Sequence, residues 1–297
     1  MNILILGSNG QLGIELKNTL KGFGEILALS KKQLNIGDEN SIREIFSNFK
    51  PDYIINSAAF TKVEEAESNA ELSFKVNSEY IGILAKEAAK INSKLIHFST
   101  DYVFDGLKIG KYSEKDETNP LNIYGRSKLM GENLIKQSNC FFYIFRTTWV
   151  VSENGTNFAK TIFNLIKTKK SLNVISDQIG VPTSTELIAR VVKNLIISNS
   201  KNIVWEKGIY NITPKGKSNW YEVARYLFDI AHENNVKMSL DKKNILPILT
   251  KEYSSKVKRP LNSLLDISKV ERMIDFSLPK WEDDFYGVVI KLIKGNV

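Results

Sequence analysis

The stretch that most restricts this chain is its first thirteen residues, Met1-Asn-Ile-Leu-Ile-Leu-Gly-Ser-Asn-Gly-Gln-Leu-Gly13. An apolar run from Ile3 to Leu6 passes directly into glycines at positions 7, 10 and 13, and a helical periodicity follows. A strand, a tight turn and a helix start form the context in which a glycine pattern reads as a dinucleotide cradle. Glycine takes positive φ and lets backbone approach a pyrophosphate. The helix N-terminus turns free N–H groups and the positive end of its dipole toward the phosphates. The spacing is G-x-x-G-x-x-G rather than the commoner G-x-G-x-x-G. An ordinary β-turn-α joint is the competing reading, so the remaining chain has to decide.

A second short apolar strand spans 25–29. In a dinucleotide fold its C-terminal end meets the adenosine ribose, where an acidic residue would accept from the 2′-hydroxyl and repel a 2′-phosphate. Here the chain reads Ser30-Lys31-Lys32, with no acid and two cations able to pair with a phosphate. That favours NADPH over NADH; the alternative is that both lysines simply face solvent. Residues 41–49 read as a helix closed by Pro51, and 52–56 as a third strand leading into Ser57-Ala58-Ala59-Phe60-Thr61. Residues 64–90 read as one long helical stretch with Asn77 inside it. Residues 94–98 form a fourth strand, ending in Ser99-Thr100-Asp101-Tyr102. The alternation predicts an α/β fold with a Rossmann-type, doubly wound parallel sheet. Ligands in such sheets bind at the carboxyl ends of the strands, which puts the glycine turn, Ala58-Ala59 and Ser99-Thr100 along one crevice. Polar, turn-rich residues 105–122 are expected to loop over it.

Tyr124-Gly-Arg-Ser-Lys128 then enters a helix. Tyr and Lys four residues apart share a helical face. An ammonium near a phenol lowers the tyrosine pKa, and such a tyrosine moves a proton near neutral pH. Residues 141–145 form the next strand. Beyond it come helices at 157–170, 185–198, 218–234, with Ser218 as N-cap, and 281–293, and a strand-like piece at 208–212. This divides the chain into a nucleotide-binding part, 1–150, and a smaller α/β substrate part, 151–297, from which some elements return to the main sheet.

Composition narrows the function. At 297 residues the chain can bury a large core in one big or two modest domains. No apolar run is long enough to span a membrane. The first strand starts at once, leaving no room for a signal peptide, and one cysteine, Cys140, fits a reducing cytoplasm. Cys140 opens an apolar run and reads as a packed small residue. With only His97 and His232, a histidine metal cluster or a Ser-His-Asp triad has little support. The net charge is +8, but the lysines are scattered with no basic-aromatic motif, so nucleic acid is not expected. A mild positive field suits an anionic small substrate and cofactor.

Together the motifs resemble the extended short-chain dehydrogenase/reductase superfamily and, more narrowly, the dTDP-4-dehydrorhamnose reductase family. The carrying stretches are Gly7-x-x-Gly10-Gln11-Leu12-Gly13, Asn56-Ser-Ala-Ala-Phe-Thr61, Ser99-Thr-Asp-Tyr-Val-Phe-Asp-Gly106 and Asn122-Ile-Tyr-Gly-Arg-Ser-Lys128-Leu-Met-Gly-Glu132. Arg146-Thr-Thr-Trp149, Asp177-Gln-Ile-Gly-Val-Pro-Thr183, Gly208-Ile-Tyr-Asn211 and Arg259-Pro-Leu-Asn-Ser263 extend the resemblance over nearly the whole chain. The resemblance implies a catalytic triad of Thr100, Tyr124 and Lys128. Hydride from NADPH or NADH would reach the C4 ketone of a nucleotide-linked 6-deoxy-4-keto sugar. Tyr124 would protonate the alkoxide, with Thr100 hydrogen-bonding the same oxygen and Lys128 lowering the tyrosine pKa and holding the nicotinamide ribose. Gly7, Gly10, Gln11, Leu12 and Gly13 would lie under the pyrophosphate. Ser30, Lys31, Asn35 and Ile36 would border the adenosine, and Ala58, Ala59, Phe60 and Phe98 would line the cofactor.

By the same resemblance Thr100, Asp101, Tyr102 and Trp149 match substrate-contacting positions, and Arg259 is a candidate for the substrate diphosphate. Two positions depart from the family pattern, Ser30 where an acid is common and Asn35 where Asp is usual. Some members dimerise around Mg²⁺; Glu15 and Glu186 match two of the glutamates involved, and two ordinary surface glutamates are the competing reading. A homodimer acting on a nucleotide sugar is expected. The alternatives are a nucleotide-sugar 4-epimerase or dehydratase with tightly held NAD⁺, and a non-catalytic regulatory subunit of the methionine adenosyltransferase type.

Overall fold

The computed structural model describes residues 1–201 and 205–295. Its centre is a six-stranded parallel sheet of β1 (Asn2–Leu6), β2 (Glu25–Leu29), β3 (Tyr53–Asn56), β4 (Lys94–Thr100), β5 (Phe141–Thr147) and β6 (Gly208–Asn211), in the order β2-β1-β3-β4-β5-β6. Successive strands are added to one side of β1 at β2 and to the other from β3 on, and at that switch a crevice opens in an open α/β sheet. The strands are apolar on both faces because both faces are covered, as a parallel sheet requires. Ile3, Ile5, Ile55, Ile96 and Phe145 point to one side. Leu4, Leu6, Ile54, Leu95 and Ile144 point to the other.

The helices are α1 (Gln11–Thr19), α2 (Glu39–Phe49), α3 (Val63–Ser68), α4 (Ala70–Phe74), α5 (Tyr80–Lys90), α6 (Ile123–Gln137), α7 (Phe158–Thr168), α8 (Thr185–Ser200), α9 (Trp220–Glu233), α10 (Ser268–Glu271) and α11 (Trp281–Lys294). Helices α1 and α8 cover the first face, with Leu16, Leu20, Ile188, Val191 and Leu195 buried there. Helices α2 and α5 cover the second through Ile42, Phe46, Ile81 and Leu84. A separate core joins α7, α9 and α11 around the parallel pair Leu172–Ile175 and Ile245–Ile248, with Phe163, Leu227 and Phe285 buried in it. Thus α8 and β6, though late in the chain, belong to the main sheet.

Two local expectations are corrected. Residues 64–90 are not one helix: α3, α4 and α5 are separate, with a π-helical turn over Lys75–Glu79. The extra residue of a π-turn rotates a side chain out of helical register. Here Asn77 turns inward, accepting from Phe60 N at 2.8 Å and donating to Phe60 O at 3.0 Å and Ser127 Oγ at 3.0 Å. The second correction concerns α9. Its cap is Asn219, whose Oδ1 accepts from Glu222 N at 2.9 Å, while the Ser218 hydroxyl donates to the Glu222 side chain at 3.1 Å and Ser218–Asn219 pair as a two-residue strand with Ile179–Gly180.

Among the described residues one ion pair lies wholly inside. Arg146 at the end of β5 donates Nε and Nη2 to the two carboxylate oxygens of Glu132 on α6, at 2.9 and 2.6 Å. Their side chains are 2% and 0% exposed. Removing one partner strands the other charge without water. Glu132→Leu is therefore expected to lower the unfolding free energy by about 3–5 kcal/mol, read as a lower denaturant midpoint at unchanged slope.

Candidate active site

The glycine turn comes first, because the close approach of two strand ends depends on it. Gly7 has φ 79°, and a Cβ there would lie 2.7 Å from Ala58 N. A Cβ on Gly13 would overlap the Gly7 carbonyl oxygen. Gly7 and Ser8 N–H groups both donate to Leu29 O, so the end of β2 is tied to the same turn. Helix α1 starts at Gly10 without a side-chain cap and without an acidic residue in its first turn. By contrast α2, α6, α7, α8 and α9 are capped by Asp38, Asn122, Asn157, Ser184 and Asn219. An uncapped N-terminus with bare glycine before it fits a phosphate. Gln11 packs under a later loop, donating to Thr156 O at 3.4 Å and accepting from Asn157 Nδ2 at 2.7 Å.

The side expected to meet the adenosine is built from β2. The Ser30 hydroxyl and N–H both donate to Gln33 Oε1, and Lys31 and Lys32 stay exposed. Asn35 is exposed, its Oδ1 accepting from Gly37 N at 3.1 Å, while Ile36 is buried beneath it in the sheet core. After β3 come Ala58, Ala59 and Phe60, the last clamped by Asn77 at both backbone polar atoms. Phe98 on β4 stacks on Phe145, with centroids 6.1 Å apart.

The reacting end gathers where β4 stops and α6 begins. Thr100 Oγ1 accepts from Tyr102 N at 3.1 Å and donates to Asp101 Oδ1 at 3.0 Å. The other carboxylate oxygen of Asp101 accepts from Ser263 Oγ at 2.5 Å. Tyr124, on the first turn of α6, meets Tyr102 edge to face at 5.6 Å. Arg259 bears on the same place through its positive charge, which acts on the Tyr102 hydroxyl, and its guanidinium pairs with Glu64 at 2.7 Å. Asn122, the cap of α6, donates to Lys258 O at 2.9 Å. Ser263 N donates to Ile179 O, which joins the 177–183 stretch to the 259–263 stretch beside the site. Trp149 stacks on Trp220 at 3.6 Å with Gly180 beneath it.

The hydrogen-bond partners of Lys128 lie on β4 rather than on Tyr124. Lys128 is buried, and Nζ donates to Phe98 O at 2.6 Å and meets His97 Nε2 at 3.1 Å. Burial, with Asp101 behind it, pushes the Tyr124 hydroxyl above its ordinary range, and the Thr100 contact only partly offsets this. Burial also lowers Lys128 to about 8, against a smaller upward pull from Glu132. Tyr124 is thus a phenol carrying its proton. In a dry site the desolvation cost of a phenolate outweighs an ammonium held on other partners. His97 and Asn56 were not picked out as site residues; the available signal was a lone histidine within an apolar strand.

The two glutamates matched to a Mg²⁺ site do not fit one within a chain. Glu186 pairs with Lys291, and Glu15 accepts from Thr19 Oγ1 at 2.9 Å. Among the described residues no three His, Cys, Asp or Glu side chains converge to hold a metal. Nor, among them, is any helix long and apolar enough to cross a membrane.

Against known proteins, residues 1–293 match the family model described as the RmlD substrate binding domain. The dTDP-4-dehydrorhamnose reductase of Salmonella typhimurium is 38% identical over 288 residues, 95% of each chain. Among solved structures, a dTDP-4-dehydrorhamnose reductase from Clostridium acetobutylicum superposes with TM-score 0.89 at 36% identity, covering 99% of this chain and 100% of that one. The Bacillus anthracis dTDP-4-dehydrorhamnose reductase, solved in complex with NADP, gives TM-score 0.89 at 30% identity, over 98% of this chain and 99% of that one.

Burial raises the Asp101 carboxyl to about 6, although Ser263 and Thr100 pull it down. The folded state therefore prefers the proton. This contribution to stability is full below the ordinary carboxylate pKa and is lost as pH rises through about 6. Asp101→Asn is expected to flatten that fall, checked by urea unfolding of both proteins across the acidic range.

Proposed function

The chain belongs to the dTDP-4-dehydrorhamnose reductase family, and on that premise we propose that it reduces the C4 ketone of dTDP-4-dehydro-L-rhamnose to dTDP-L-rhamnose for cell-surface polysaccharide synthesis. The observation that supports it is that Lys128, one turn after Tyr124 on α6, bonds Phe98 O of the strand that ends in Thr100, in a fold whose first helix opens on an uncapped glycine turn. The turn, Gly10, Gln11 and Leu12 would hold the pyrophosphate, and Lys128 the nicotinamide ribose. Ala58, Ala59, Phe60 and Phe98 would line the cofactor. When bound, the nicotinamide supplies hydride.

The protein supplies the proton and the field. Tyr124, kept protonated by its burial, donates to the oxygen that becomes the alkoxide. The Thr100 hydroxyl stabilises charge as it develops on that oxygen. That role needs the one hydroxyl hydrogen that Asp101 Oδ1 accepts at 3.0 Å, so the hydroxyl turns from Asp101 to the substrate oxygen when substrate binds. Tyr102, Trp149 and Arg259 are assigned to the substrate, with Arg259 exchanging Glu64 for the diphosphate. Two exposed lysines at the end of β2 support NADPH over NADH. The same reading makes the enzyme a cytoplasmic homodimer.

The test is direct: protein, dTDP-4-dehydro-L-rhamnose and NADPH or NADH are mixed and the nicotinamide absorbance followed. No decay with either cofactor would sink the assignment. Tyr124→Phe is expected to lose roughly 10²–10⁴-fold in kcat while NADPH binding, measured by calorimetry, stays intact. Lys31→Glu is expected to weaken NADPH about tenfold or more, as loss of a charge-assisted hydrogen bond does, with NADH little changed.

A further inference from the structure

The guanidinium of Arg259 is only half used. An oxyanion matches arginine best when Nε and one terminal nitrogen donate side by side. Arg146 has that geometry, giving Nε and Nη2 to the two oxygens of Glu132. Arg259 gives Nη2 to Glu64 Oε1 at 2.7 Å, while its Nε is buried without a partner among the described residues. A buried donor without an acceptor costs stability, so its retention beside a binding site implies an acceptor that arrives with the ligand.

Glu64 does more than meet Arg259. The same oxygen accepts from Ser255 Oγ at 2.8 Å. Ser255 lies in a segment, 250–259, that is tied at one end to the second half of the chain, where Thr250 N and Oγ1 donate to Asp177 Oδ1 at 2.8 and 2.6 Å. At its other end Lys258 O accepts from Asn122, the cap of α6. Helix α3, which carries Glu64, reaches α6 through Glu67, whose carboxylate accepts from Ile123 N at 2.8 Å. One carboxylate oxygen thus fastens the 250–259 segment to α3. The charges of Arg259 and Glu64 both reach Tyr102, whose ring meets that of Tyr124.

We propose that Glu64 is a specificity-determining residue: its carboxylate stands in for a substrate oxyanion on Arg259 and holds the 250–259 segment to α3 until a diphosphate takes the guanidinium by Nε and Nη2 together. The proposal rests on the reductase reading, which assigns Arg259 to the substrate diphosphate, and adds what that diphosphate must displace. A phosphate offers two acceptors to an edge where Glu64 meets a single donor. A nucleoside without phosphate has nothing to exchange for Glu64. The side chains of Glu64 and Arg259 are 51% and 27% exposed, so the displaced carboxylate turns to water, and a pair this exposed is weak enough to exchange. The same exchange releases Ser255, so engagement of the diphosphate unfastens the segment.

The test uses dTDP as the probe and thymidine as the ligand lacking the diphosphate, with calorimetry as the readout. Glu64→Gln keeps the shape and removes the charge. It is expected to bind dTDP about two- to fivefold more tightly than the unaltered protein, the weight of an exposed ion pair, with thymidine binding the same in both. In the reduction assay KM for the sugar nucleotide should fall by the same factor. Arg259→Met removes the guanidinium, and in that background Glu64→Gln is expected to change dTDP binding no further. Equal dTDP affinity in Glu64→Gln and the unaltered protein overturns the proposal. So does a gain that persists without Arg259, because it marks plain charge repulsion rather than exchange at the guanidinium. If the unaltered protein reduces the sugar nucleotide while Glu64→Gln shows no gain, the proposal alone falls. If the protein neither binds dTDP nor reduces the sugar nucleotide, the reductase reading falls and the proposal with it.

Discussion

The structure depends on how closely β1 is allowed to pass the end of β3. At Gly7 the backbone takes a positive φ and leaves no room for a Cβ against Ala58. A side chain there would be strained by its conformation and blocked by the neighbouring backbone at once. Because the approach is tight, the first residues after β3 sit directly beside the free N-terminus of α1. The Ala58 N–H that borders Gly7 is also the one that orients Asn56. A single backbone contact thereby shapes the cofactor cradle and begins a line of hydrogen bonds through Asn56 and His97 to Lys128.

Burial governs the chemistry around it. In water a lysine four residues from a tyrosine would be an ammonium and would favour phenolate. Here both groups are buried, and desolvation raises one and lowers the other. The proton stays on the phenol, as the proposed donor role requires. The second half of the chain maintains that burial. Ser263 holds Asp101, Lys258 carbonyl oxygen holds Asn122, and the 152–157 loop covers Gln11. The site is therefore made by one sheet and closed by segments more than a hundred residues away.

Much of this was legible in the residues. The apolar runs gave five of the six strands of the main sheet close to their observed bounds, and 208–212 was seen as strand-like. Buried parallel strands announce themselves by continuous apolar sequence. The long stretch at 64–90 misled, because each piece has helical periodicity; Asn69 breaks it between α3 and α4, and Asn77, seeking Phe60 and Ser127, sits in the π-turn before α5. Ser218 misled as a cap because its pairing with Gly180 is a contact between distant segments. The Tyr124–Lys128 spacing correctly placed both groups on one helix. It said nothing of His97 and Phe98, whose strand supplies the partners Lys128 takes.

The sequence by itself determined the alternating α/β order, the glycine turn and the residue types available for proton transfer, since these follow from local periodicity and side-chain chemistry. Only the tertiary structure decided which groups touch and in which protonation state. Partners of Lys128, Asn56 and Asp101 come from other strands and from the far end of the chain. Removal of water, which sets their pKa values, is a property of the packed whole and not of any segment.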